Sequence, residues 1–514
     1  RQIPDPFYRD NEDRLTWIGA SEWTYTRTFH VDRDMLDHDR VLLQSEGLDT
    51  LAAVRLNDHL VGRTANMFRS WEWDVRDMLR EGENVLAITF HSVIPEIEAR
   101  QAEKFYAAGG GGTLTKFGTS QVRKEQCNFG WDWGPACVTA GIWRPICLTA
   151  FRTVRLTGMH VTQSHTAQGV DLDVTITTDR TDDTAITASV ELSLEGETLH
   201  TTEVPPAGVN DPIRVPVADP RLWWPNGMGE QPLYDLSVTL KREDGAPLDT
   251  DTVRIGLRTV ALVQEDDTWG QSFCFCVNGV TFFAKGANWI PADVFQPRVT
   301  EDDYRDLLNS AVDVHMNMIR IWGGGIYEDD RFYDICDELG LLVWQDFMYA
   351  CAAYPADRPA FLENARIEAE ENVVRLRNHP CIAIYCGNNE LEQCGFVGEH
   401  RAGAMRPEEY ARLFDETLPA VVRQFHPGAP YIPSSAYSPL DRADPQSDGC
   451  GDSHFWRVWN QKEPLEVYRS SLHRFCSEFG FQSFPEPRTC ETYTAPEDRN
   501  INSYVMNWHQ RNVN

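Results

Sequence analysis

Two glutamates, Glu390 and Glu478, each lie at the end of a short apolar run late in the chain. One run reads Ile382-Ala383-Ile384-Tyr385-Cys386-Gly387-Asn388-Asn389-Glu390, the other Phe475-Cys476-Ser477-Glu478-Phe479-Gly480. A carboxylate at the end of a buried strand is poorly solvated and needs a reason to be there. Two that converge are the minimum equipment for cutting a glycosidic bond: one protonates the leaving oxygen while the other attacks the sugar carbon. Gly387 lets the backbone turn at the strand end, and Asn389 can give and accept hydrogen bonds to a sugar hydroxyl beside the acid. Competing structural readings exist for both glutamates. Asn388 or Asn389 could cap a helix whose dipole favours Glu390, and Glu478 could be a buried partner of Arg320 or Arg474. Phe479 and Phe481 are expected to exclude water from Glu478. Trp322, ahead of three glycines, and His454 with Trp456 offer walls for a sugar's apolar face, or core packing instead.

Three kinds of element must hold these residues. From Trp17 to about Phe151, short stretches such as 23–31, 41–43 and 84–90 alternate with period two, which predicts an antiparallel jelly-roll β-sandwich over 1–151. From 152 to 263 the alternation resumes in 170–176, 188–194 and 234–240, with about seven strands in all, which predicts an immunoglobulin-like β-sandwich. From 264 to 514 strands and helices alternate, with strands near 282, 317, 341, 382, 431, 450 and 474, and helices over 301–313, 329–339, 359–378 and 499–511. That rhythm predicts a (β/α)8 TIM barrel, whose C-terminal strand ends would carry Glu390 and Glu478. Seven barrel strands are legible and an eighth is not, so the barrel is read as C-terminally incomplete.

The formal charge is -31 and the pI about 4.8, which argues against nucleic acid or an anionic membrane as a partner. No stretch of about 18 apolar residues appears. The 13 cysteines are scattered without a C-x-x-C pair, several inside apolar runs, as reduced buried thiols would be. With no N-x-[ST] sequon, they point to a cytoplasmic location. The histidines show no H-E-x-x-H spacing, so neither a metal nor a cofactor is implied. The glycine run 109–112 lacks the Lys-Ser/Thr of a phosphate loop, and G-x-S-x-G is absent.

Longer motifs resemble the β-mannosidases of glycoside hydrolase family 2. They are the stretch 3–12, Arg123-Lys124, the stretch 129–135 (Phe-Gly-Trp-Asp-Trp-Gly-Pro), Trp223-Trp224-Pro225-Asn226-Gly227, the stretch 286–291, the stretch 320–328 and the two glutamate segments. The resemblance covers essentially the whole chain. It implies a retaining exo-β-mannosidase acting on β-mannoside oligosaccharides or glycoconjugates, as a monomer or homodimer. It makes Glu390 the acid/base and Glu478 the nucleophile, with Asn389 on the 2-hydroxyl. Trp322 would line the terminal-sugar subsite, Trp131 and Asp132 would reach its distal hydroxyls, and His454 and Trp456 would complete the wall. As an acid, Glu390 is expected to have a raised pKa from burial and from Glu478. The segment 391–400 lacks a tryptophan that the family often carries. The family also continues past position 514. A galactosidase, glucuronidase or glucosaminidase of the same family, or a non-hydrolytic glycan-binding fragment, stays open as an alternative.

Overall fold

The computed structural model describes residues 3–109, 118–209, 211–440, 442 and 444–512. Of the glycine run 109–112, all but Gly109 lies outside them. In the first sandwich, Trp23–Val31 pairs antiparallel with Gly82–His91, and Leu51–Leu56 and His59–Ala65 complete that sheet. Trp71–Asp74, Arg40–Ser45 and Ile146–Phe151 form the opposing sheet. Because side chains alternate across a strand, Val31, Val41, Leu43, Val54, Ile88 and Phe90 all reach one core between the sheets. The second sandwich has seven strands in sheets of three and four, with Val154–Thr166 and Ile186–Leu194 pairing in different sheets. Leu172, Val190, Val215 and Leu236 fill it.

Seven parallel strands follow: β1 (Gly286–Trp289), β2 (Met318–Ile321), β3 (Leu342–Asp346), β4 (Ile382–Cys386), β5 (Tyr431–Ile432), β6 (Ser453–Phe455) and β7 (Cys476–Phe479). The first five form one ladder and the last two another. Among the described residues no backbone ladder joins β1 to β7. Asn288 Nδ2 spans that seam instead, donating to the Ser477 carbonyl at 3.0 Å. The first barrel strand lies later than the sequence suggests. Val280–Phe282 is the return strand of an antiparallel hairpin with Cys274–Val277, and the parallel strand starts only at Gly286. There a Cβ would lie 2.0 Å from the Met318 carbonyl oxygen. Three helices alternate with the early strands: α1 (Glu301–Asp313), α2 (Asp330–Leu339) and α3 (Pro359–Leu376). α1 begins with a Thr300/Asp303 capping box, and α2 ends on left-handed Gly340. The last helix is short, Tyr504–His509 rather than 499–511.

The sandwiches grip the barrel through buried polar contacts. Arg123 donates to both oxygens of Glu368 on α3, at 2.8 and 2.6 Å. Asn66 and the Tyr327 hydroxyl bond the same carboxylate. Trp223 Nε1 donates to the Asp337 carbonyl at the end of α2, and Asn226 Nδ2 to the Met316 carbonyl ahead of β2. The Trp-Trp-Pro-Asn-Gly motif is therefore a clamp on the barrel's underside, far along each strand from the glutamates.

Candidate active site

The loops after β3, β4 and β5 are stitched together at the barrel mouth. Asn389 N donates to the Tyr349 carbonyl at 2.9 Å, Cys351 N to the Asn389 carbonyl at 3.0 Å, and Glu390 N to the Ser435 carbonyl at 2.7 Å. This extension beyond the regular strands fixes Glu390 in a left-handed conformation, φ 65°. A non-glycine residue held there stores on the order of 1–3 kcal/mol of strain, which surrounding contacts must hold in place. Asn388 does act as a local cap, its Oδ1 accepting from Leu391 N at 3.1 Å, but turns rather than a helix follow. The capping reading of Glu390 thus gives way to a carboxylate aimed into the barrel.

Glu478 sits inside β7 as the third of its four residues and is 8% exposed. Arg320 on β2 donates to its Oε1 at 2.5 Å, and Trp456 Nε1 to its Oε2 at 3.0 Å. The arginine pairing foreseen as an alternative to a site is therefore part of the site. Arg474, the other candidate partner, pairs with Asp267 instead. Phe479 and Phe481 do not screen the carboxylate; both face solvent. Alternation along β7 turns Phe479 away from the side that Glu478 occupies, and Trp456 takes over the screening.

His454 links the two acids. Its Nδ1 lies 2.7 Å from Glu390 Oε1 and 3.4 Å from Glu478 Oε2, and its Nε2 lies 2.9 Å from Ser435 Oγ. The ligand-type atoms of Glu390, His454 and Glu478 all fall within 4.8 Å of one another. Ser435 Oγ and Ser477 Oγ each lie 2.6 Å from Asp452 Oδ2, so a buried polar chain runs behind the ring. Burial pushes the ring's pKa down, but the charges of Glu478 and Glu390 outweigh it and raise it overall. For Glu390, burial pushes upward, and the His454 hydrogen bond and charge, the Cys351 thiol and Arg320 outweigh it. Its pKa is lowered, against the raised value expected from the sequence. The cause is a cation within hydrogen-bonding distance that no spacing rule placed there.

Asn389 is buried and accepts from Arg320 Nη2 at 2.8 Å. Arg320 also pairs with Asp346 at the end of β3, at 2.8 Å, and with Asn288 Oδ1 at 3.0 Å. On the sandwich side, Trp131 and Trp133 meet Trp322 edge-on, with ring centroids 4.8 and 5.4 Å apart. Trp322 is itself buried, so Trp133, 41% exposed, presents the open aromatic face of that cluster. Gly324 exists to make room: a Cβ there would lie 1.9 Å from the Trp322 ring. Asp132 reaches the carboxylates' field. Burial and then the Glu390 charge raise its pKa, with Glu478 adding to the effect, and Asn512 donates to it at 3.2 Å.

All eight residues singled out from the sequence thus lie around one mouth. Ser435, Asp452, Asp346, Asn288 and Trp133 were not foreseen as site residues. Asp346 carried the same signal as Glu390, an acid ending the apolar run 341–344, and that rule could have found it.

Among the described residues, three groups have metal-ligand composition. In Glu390/His454/Glu478 the imidazole already fills the gap between the acids. In Asp337/His379/Cys381, His379 Nδ1 and Cys381 N occupy the carboxylate at 2.6 and 2.9 Å. In the third, Cys351/Glu390/Cys394, the two thiols converge on one carboxylate oxygen, and Glu390 and Cys394 are half-buried.

Two family models match consecutive stretches: "Glycosyl hydrolase 2 galactose-binding domain-like" over residues 1–144 and "Glycosyl hydrolases family 2" over residues 154–258. With the barrel and its paired acids, they define the class: the chain belongs to glycoside hydrolase family 2. Within it, the relatives are more specific. The chain is 34% identical to a β-mannosidase B of Aspergillus niger, over 99% of this chain and 61% of that protein. It is equally similar, at 34%, to a β-mannosidase of Capra hircus, over 100% of this chain and 61% of that protein. The crystal structure of a β-D-mannosidase from Dictyoglomus thermophilum superposes with a TM-score of 0.91 at 36% identity, covering 99% of this chain and 62% of that one. The chain therefore spans about 61% of the length of these curated relatives. An exo-chitosanase from Amycolatopsis orientalis shares the fold, with a TM-score of 0.67 at 19% identity over 97% of this chain and 55% of that one.

Proposed function

We propose that the chain carries the active site of a retaining exo-β-mannosidase, releasing terminal non-reducing β-D-mannose through a covalent mannosyl-enzyme. The observation that carries this reading is the pair Glu390 and Glu478, whose oxygens approach within 4.8 Å across one histidine nitrogen. Retaining enzymes hold their carboxyl groups about 5–5.5 Å apart, and inverting enzymes leave about 6.5–9.5 Å for a water between them. Glu478, gripped by Arg320 and Trp456, attacks the anomeric carbon. Glu390 gives a proton to the leaving oxygen, then takes one from the water that frees the sugar. A lowered Glu390 pKa is compatible with that role because His454 can hold the same proton 2.7 Å away. The two groups then titrate as a unit.

The units 1–151, 152–263 and 264–514 divide the task into a sandwich that caps the site, one that braces the barrel, and the barrel itself. The first sends Trp131, Asp132 and Trp133 over the mouth, which suits removal of single terminal residues. The names of the similar proteins support mannose as the sugar. Thirteen unpaired thiols favour a reducing, cytoplasmic setting. The test is labelling with a 2-fluoro-mannosyl reagent and peptide mapping, beside a panel of aryl β-glycosides. Label on Glu478 and release from the β-mannoside are expected. Label elsewhere, or turnover of the β-galactoside alone, overturns the proposal.

A further inference from the structure

Behind Glu390, on the side away from His454, stand two thiols that the reaction does not use. Cys351 Sγ lies 3.3 Å and Cys394 Sγ 3.6 Å from Glu390 Oε2, and all three atoms fall within 4.8 Å of one another. The chain builds this cluster from three places. Cys351 follows β3 in a left-handed conformation, φ 41°, locked by its amide to the Asn389 carbonyl. Cys394 is brought back by a tight turn in which its amide donates to the Glu390 carbonyl at 2.9 Å. No C-x-x-C spacing announces the pair, because 43 positions separate its members (394 minus 351).

We propose that Cys351, Cys394 and Glu390 form a binding site for one thiophilic divalent cation of the zinc class, and that its occupation silences the acid/base. A tetrahedral zinc with sulfur at about 2.3 Å and carboxylate oxygen at about 2.0 Å separates these ligands by about 3.5 Å. The observed 3.3 and 3.6 Å bracket that spacing with little movement required. Two thiolates and one carboxylate make three ligands, and water from the open mouth supplies the fourth. Without a cation the Cys394 thiol, burial and the Glu390 charge keep Cys351 protonated, so the metal must displace that proton, while Asn389 Nδ2 points at Cys351 Sγ from 3.5 Å, the kind of outer hydrogen bond that holds a ligand in place. Glu390 and Cys394 are half-buried, giving an entry path from the mouth. Binding exchanges two S–H protons for two S–metal bonds, with the protons passing to solvent and no change of oxidation state. A cation on Oε2 draws charge from the whole carboxylate, so Oε1, which faces His454, loses the basicity it needs to take up the catalytic proton.

The binding claim stands on the cluster alone; only the silencing rests on the function proposed above. Chelator-stripped, reduced full chain is titrated with Cd2+, following thiolate-to-cadmium charge-transfer absorption in the ultraviolet and proton release in weak buffer. One saturable site releasing two protons is expected. Cys394→Ser and Glu390→Gln, checked for folding by circular dichroism without metal, are each expected to weaken that site about tenfold or more, as loss of a ligand or its support does. Cys351→Ser/Cys394→Ser is expected to abolish it. Absence of a charge-transfer band in the wild type, or its persistence in the double variant, overturns the site. Zn2+ should also stop hydrolysis of an aryl β-mannoside, reversibly with chelator. Full turnover with the site spectroscopically occupied overturns the silencing while leaving the function intact.

Discussion

Replacing His454 separates proton storage from geometry at this site. The ring faces Glu390 at 2.7 Å and Glu478 at 3.4 Å, with Arg320 and Asp452 as the other charged groups around it. A hydrogen bond to a charged group contributes about 1.5–3 kcal/mol. At about 1.4 kcal/mol per decade, its loss from the transition state lowers kcat/KM about 10- to 150-fold. His454→Ala should show that loss. His454→Asn, which can return an N–H near the Nδ1 position without titrating, should recover part of it. The pH profile carries the sharper signature. In the wild type the shared proton is lost only as pH rises through the raised His454 value, so the basic limb lies above the ordinary histidine pKa of about 6.5. In both variants Glu390 holds the proton alone. Its pKa climbs from its lowered position once the imidazolium is gone, and it replaces the histidine as the group that sets the limb, which moves to more acid pH. The sign for stability is the same. A raised folded pKa contributes stability fully below about pH 6.5, and the contribution fades as pH rises through the folded value. The assay is kcat/KM for an aryl β-mannoside against pH, with chelator present. A basic limb that stays in place in both variants would refute the shared-proton account.

Further outcomes follow from neighbouring contacts. Arg320→Lys keeps the charge but loses the fork that holds Glu478, Asp346 and Asn389 together. Loss of a hydrogen bond to a charged group costs about 1.5–3 kcal/mol, so labelling of Glu478 should slow by about 10- to 150-fold; a change under threefold contradicts the positioning role. Gly324→Ala puts a methyl 1.9 Å from the Trp322 ring. Overpacking costs about 1–3 kcal/mol, so a lower Tm, altered tryptophan fluorescence and a raised KM are expected together, and an unchanged KM would remove Trp322 from the substrate wall. At His379, burial lowers the ring's pKa but buried Asp337 outweighs it and raises it. Chemical melts of His379→Gln should therefore trail the wild type most below about pH 6.5, with the gap closing as pH rises.

Much of this site was visible in the linear chain because its acids end apolar runs and its aromatics sit in long motifs. Glu390, Glu478, Trp131 and Trp322 were legible for that reason. The sandwiches were legible through period-two alternation, and α1 matched its predicted bounds because Thr300 and Asp303 cap it. What escaped depends on contacts between distant segments. Ser435 and Asp452 are single polar residues with no local pattern, and only the stitched loops bring them behind His454. The direction of the Glu390 shift was missed for the same reason. Burial can be guessed from apolar neighbours, but a cation contributed 64 positions away (454 minus 390) cannot. Phe479 and Phe481 misled because their apolar character was visible, while the side of β7 that Phe479 takes and the exposed place of Phe481 beyond the strand were not.

The salt bridge between Arg123 and Glu368 constrains how such a protein can change. Each group is almost wholly removed from water, at 3% and 1% side-chain exposure, and each belongs to a different architectural unit. Swapping in a foreign barrel without an acid at 368 would strand a guanidinium in a dry interior, and a foreign sandwich would strand the acid. Either mismatch costs about 3–5 kcal/mol, a large share of the roughly 5–15 kcal/mol that holds a typical domain folded. Sandwich and barrel must therefore drift together, and change comes more easily on the loops that overhang the mouth than by trading whole modules.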